Sequence, residues 1–168
     1  AEKFFDIKCR KAGLHPDAVV LVATTKALKM HGGIDKTNLT AENVDAIQKG
    51  CENLGRHIRN IGQYGVPVTV GINGYVTDTE NEHQAIIDYC KQFDVECKIS
   101  THWSDGGKGA EDLARHVTEM IEHQKSQFRT LYDENMPLWE KVRHIARSIY
   151  GAEDIIADKK VRAQFEEF

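Results

Sequence analysis

Residues 66–72 read Val66-Pro67-Val68-Thr69-Val70-Gly71-Ile72, and this stretch decides the fold. Its β-branched side chains and its length suit a strand rather than a helix. Residues 18–24 (AVVLVAT) have the same character, and residues 95–99 (VECKI) form a third, shorter run. The first two runs are nearly continuous in apolar residues, which predicts parallel strands in a sheet covered on both faces.

Helical patterns lie between the runs. Over 41–64, Val44, Ile47, Cys51, Leu54, Ile58 and Ile61 recur at spacings of three and four, the apolar face of an amphipathic helix, with Thr40 as its expected cap. Over 79–93, Thr79 and Glu82 make a capping box ahead of Ala85, Ile86, Tyr89 and Cys90. A third helix is predicted after Gly109, a fourth over 138–150 ending at Gly151, and a fifth from Asp158 onward. Strand alternating with helix predicts an α/β fold of βαβ units on a mostly parallel sheet with flanking helices. The domain reading is an α/β segment over 1–126 and a helical segment over 127–168, with a soft boundary at 126–136 that starts, or links to, an adjacent domain. Both ends read as cut from something longer: the chain opens at Ala1 on Lys3-Phe4-Phe5 and closes on Glu166-Glu167-Phe168.

A chain of 168 residues can bury roughly two-thirds of its unfolded surface. A formal charge of −4 gives no basic footprint for nucleic acid. No apolar run approaches the ~20 residues of a membrane helix. Cys9, Cys51, Cys90 and Cys97 form no C-x-x-C pair and read as reduced, mostly buried thiols of a cytosolic compartment. No metal site is expected: H-E-x-x-H is absent, and Glu119 with His123 reads as a surface pair.

In an open parallel sheet, ligands bind beyond the carboxyl ends of the strands. Three segments leave those ends. The first, 24–33, carries Lys29, His31 and the Gly32-Gly33 turn, types that can face an anion or simply form a solvated loop. The second places Asn73 at the strand end and Asp78 five residues on, beside a helix start. This is not the N-K-x-D element that reads guanine, because Val76 holds the position of its Asp. The third, 100–109, holds Trp103 and a Gly106-Gly107-Lys108-Gly109 run that is compatible with phosphate at a helix start. Trp103 and Tyr75 can sandwich a flat heterocycle, or each can plug the sheet edge. The phosphate-loop motif, G-x-x-x-x-G-K followed by Ser or Thr, does not occur.

These same segments carry a family resemblance. The strings AEKFFDIKCR (1–10), ALKMHGG (27–33), TDTE (77–80), His102-Trp103 with Gly106-Gly107-Lys108-Gly109, and IYGA (149–152) resemble formate–tetrahydrofolate ligase, in order, from residue 1 to about 155. The resemblance implies an internal segment of a larger enzyme with a P-loop NTPase-like or Rossmann-like three-layer architecture. It implies an ATP-dependent ligase that joins formate to tetrahydrofolate through formyl phosphate. Mg accompanies ATP, a monovalent cation is possible, and the parent is a cytoplasmic homo-oligomer whose phosphate loop lies outside this segment. Trp103 is similar to the family tryptophan that stacks on folate, and Tyr75 stands where the family usually has Phe. Lys29, His31, Gly32, Gly33, Asn73, Asp78, Gly106 and Gly107 are expected in the nucleotide and substrate crevice, and no catalytic residue is assigned. Thr25-Lys26 departs from the family's small apolar residue followed by Arg, and Lys lacks the bidentate fork of Arg. The alternatives are a catalytically inactive fragment and a heterocycle-binding α/β module without catalysis.

Overall fold

The computed structural model describes residues 1–167. They fall into two compact units, one of residues 16–126 and one of residues 1–15 with 127–167. The sequence reading grouped residues 1–15 with the α/β segment. In chain order, a π-helical segment, Lys3–Cys9, runs into α1 (Arg10–Ala12). Then come β1 (Val19–Ala23), α2 (Thr25–His31), α3 (Val44–Gly62), β2 (Val68–Asn73), α4 (Glu80–Lys91), β3 (Cys97–Ser100), α5 (His102–Asp105), α6 (Glu111–His123), α7 (Leu138–Ser148) and α8 (Lys159–Glu167). The helix expected from Asp158 onward includes Phe168, which lies outside the described residues.

In the α/β unit the three strands are parallel, in the order β1-β2-β3. Val19 pairs with Val68 and Ala23 with Ile72; Val70 pairs with Cys97 and Asn73 with Ser100. All three carboxyl ends therefore lie at one edge. The core is built from Ile47, Cys51, Leu54 and Ile58 of α3, Ile86 and Cys90 of α4, and Val70 and Ile72 of β2. Each such aliphatic side chain, fully buried, stabilises by about 1.5–3 kcal/mol. The opposite face is less covered than its apolar sequence implies. Leu113 of α6 packs over Gly71, but Val20 and Val22 of β1 remain exposed.

Two local details differ from expectation. The segment after β1 is not a loop but the helix α2, capped by the Thr24 hydroxyl, which accepts from Ala27 N–H at 3.1 Å. Ala27, Leu28, Lys29 and Met30 are strong helix formers, and they outweigh the Gly-Gly signal that follows them. Asn43, not Thr40, caps α3, its side-chain oxygen accepting from Ala46 N–H at 2.9 Å. The capping box of Thr79 and Glu82 is present as expected.

In the second unit Asp6 is buried and accepts from Leu131 N–H at 2.7 Å. The Tyr150 hydroxyl donates to Glu2 at 2.8 Å, joining two of the family-like strings. Helix α7 ends at a left-handed Gly151 (φ 70°), with Gly151 N–H on Arg147 O and Ala152 N–H on Ala146 O. The Gly151 bond, four residues back to Arg147 from a left-handed residue, is the αL closure of a helix end.

Candidate ligand site at the carboxyl edge of the sheet

Asp78 organises this edge. It follows β2 and precedes α4, and its carboxylate is 2% exposed. One oxygen accepts from the Thr25 hydroxyl at 2.6 Å. The other accepts from Tyr75 N–H at 2.9 Å and lies 3.2 Å from His83 Nε2. The segments that leave β1 and β2 are thereby tied together. Lys26, next to Thr25, holds its ammonium 4.3 Å from the centroid of the Tyr75 ring. A cation at this distance is attracted to the face of the ring.

Asn73 ends the central strand, and its buried Oδ1 has no hydrogen-bond partner among the described residues. Its register partner Ser100 is buried, with Oγ 2.9 Å from His102 Nδ1. Trp103 follows in α5 and is 71% exposed. The segment carrying it folds back on itself: Thr101 N–H donates to Gly109 O at 2.9 Å, and a Cβ on Gly109 would fall 2.5 Å from the Thr101 carbonyl carbon. Gly106 (φ 58°) and Gly107 are exposed, with nothing within 4 Å of an added Cβ.

The other expected crevice residues lie toward the distal end of α2. Lys29 is not at a crevice mouth: its ammonium is buried against Glu82 at 2.6 Å and donates to the carbonyls of Leu39 and Ala41. Gly32 lies against the backbone of α3, where an added Cβ would come 2.0 Å from Ala46 O. Gly33 takes φ 95° with open space around it. His31 is exposed, its Nε2 3.4 Å from Asn53 Nδ2. Thr25, Lys26, Asn73, Tyr75 and Asp78 thus form a connected group joined by strand pairing to Ser100, His102 and Trp103. His83 is a member that the sequence reading missed. Its signal was its place in the first turn of α4, within reach of Asp78. Among the described residues no group of three or more His, Cys, Asp or Glu side chains could hold a metal ion, and no helix is long and apolar enough to cross a membrane.

Fold and site define an α/β segment whose candidate site residues follow adjacent parallel strands at one sheet edge. The formate–tetrahydrofolate ligase profile matches residues 1–168, and the chain belongs to that family. Among curated relatives, the formate–tetrahydrofolate ligase of Granulibacter bethesdensis is 56% identical over 167 residues, 99% of this chain and 29% of the relative. That of Ruegeria pomeroyi is 54% identical over 168 residues, 100% of this chain and 30% of the relative. That of Pelagibacter ubique is 48% identical over the same number, with the same coverage. The chain therefore spans about 30% of the length of these relatives.

Proposed function

We propose that the complete polypeptide joins formate to tetrahydrofolate at the expense of ATP, and that this segment supplies the folate-stacking edge. In this reading ATP phosphorylates formate to formyl phosphate. N10 of tetrahydrofolate then takes the formyl group, giving 10-formyltetrahydrofolate, ADP and phosphate. The nucleotide phosphates and their Mg are held by parts of the longer polypeptide. One feature supports this: the 168 residues contain no phosphate-loop motif. A monovalent cation, a homo-oligomeric assembly and a cytoplasmic location belong to the same proposal. This segment alone makes no 10-formyltetrahydrofolate.

The observation that carries the reading is the placement of Tyr75 and Trp103. They follow the paired parallel strands β2 and β3 at the same edge, and Trp103 offers an open indole. A pterin is apolar on its faces and polar at its rim, so two aromatic rings can desolvate the faces and leave the rim for hydrogen bonds. Stacking of this kind is worth roughly 1–3 kcal/mol per ring. In the complete polypeptide, Trp103→Ala should weaken tetrahydrofolate binding about ten- to a hundredfold and leave the ATP constant nearly unchanged. Steady-state constants for both substrates test it. If ATP affinity falls while folate affinity holds, the aromatic pair serves the wrong ligand in this assignment.

A further inference from the structure

We propose that Asn73 reads the rim of the ligand: its side-chain oxygen accepts a hydrogen bond from an exocyclic amine on the heterocycle bound at this edge. The proposal rests on the stacking reading above and adds the group that sets which way round the ring lies.

Oδ1 of Asn73 is buried, yet no donor among the described residues reaches it. Buried polar atoms are nearly always paired, because an unpaired one loses its water and gains nothing in return. The polar groups beside it are already engaged. Ser100 Oγ is with His102. Gly74 N–H donates to Ser100 O at 2.9 Å. Tyr75 N–H and the Thr25 hydroxyl are both spent on Asp78. One buried acceptor is left unpaired at the carboxyl end of the central strand, on the residue that pairs with Ser100 and stands two before Tyr75. An acceptor in that position calls for a donor on the ligand. An amino-substituted pyrimidine ring presents one; a ring with only carbonyls and bare ring nitrogens does not. A site that leaves a buried polar group unpaired discriminates strongly against the ligand lacking its partner.

The test uses the complete polypeptide and two folate analogues that differ only in carrying an exocyclic 2-amine or a 2-methyl group, with binding followed by calorimetry. Wild type should favour the amine by about tenfold or more. Asn73→Leu, similar in volume and without an acceptor, should bind the two analogues alike. Asn73→Asp keeps the acceptor and adds charge, so it should widen the preference, and it gives an answer even if the leucine variant does not fold. An equal affinity in wild type, a preference that survives Asn73→Leu, or a preference unmoved by Asn73→Asp overturns the proposal. Trp103→Ala separates the two readings. If it weakens both analogues while the amine preference ignores Asn73→Leu, only the Asn73 assignment falls. If it affects neither analogue, the stacking reading falls as well.

Discussion

The ammonium of Lys29 lies 2.6 Å from Oε1 of Glu82, and both side chains are almost wholly shielded from solvent. The same nitrogen donates to the carbonyls of Leu39 and Ala41. Glu82 also accepts from the N–H groups of Asn43 and Thr79. Helix α2, the entry to α3 and the start of α4 therefore meet at one buried ion pair.

Removing one partner leaves the other charged and buried. Lys29→Met or Glu82→Leu alone should cost about 3–5 kcal/mol of stability, and the double variant should cost less than the sum of the two. Urea unfolding of the four proteins checks it. Additive losses would mean that the pair does not act as a unit.

Gly32 is a packing residue in this fold, since an added Cβ would sit 2.0 Å from a backbone oxygen of α3. Gly32→Ala should lower stability by about 1–3 kcal/mol or more, as overpacking does. Gly33→Ala, at φ 95° in open space, should cost roughly 1 kcal/mol from backbone conformation alone. Thermal melts read both. A variant that keeps its melting temperature but loses nucleotide affinity would return that glycine to the ligand site.

Asp78 accepts from Thr25 and Tyr75, so its loss frees the backbone that presents the Tyr75 ring. Asp78→Ala should raise the tetrahydrofolate constant and destabilise the fold by about 1–3 kcal/mol. Thr25→Val should have a smaller effect in the same direction. Substrate constants measured beside unfolding midpoints separate the two consequences. Unchanged folate binding in Asp78→Ala would remove its positioning role.

Burial, with Cys90 beside it, pushes the Cys51 thiol up from 9.0 to about 12. The folded state keeps this proton where the unfolded chain gives it up. Its contribution is therefore fully present below pH 9 and declines as pH rises from 9 to about 12. Unfolding midpoints at stepped alkaline pH should fall, and Cys51→Ala should show a shallower decline. An identical slope in the variant would show that Cys51 does not contribute.

The strands and the Thr79–Glu82 capping box were legible because their determinants lie within a few residues of one another. Helix α2 was obscured by the lysines and the glycine pair of 24–33, although Thr24 and the helix formers after it were in plain view. The carboxyl-edge location of Asn73, Tyr75 and Trp103 followed from strand order alone. The bond between Thr25 and Asp78 did not, because the partners are 53 residues apart and only the parallel pairing of β1 and β2 brings them together. Nor did the second role of Glu82: a capping glutamate looks the same in sequence whether or not a lysine is buried against it.

The closure of residues 101–109 through Thr101 and Gly109 has a thermodynamic meaning for Trp103. An indole on a floppy loop must be ordered each time a ligand arrives, and that ordering subtracts from affinity. Here the backbone beneath the ring is ordered when the chain folds, so the entropy is lost once and not at every encounter. Under the stacking proposal, what remains for the ligand is to take the water off an apolar surface already exposed.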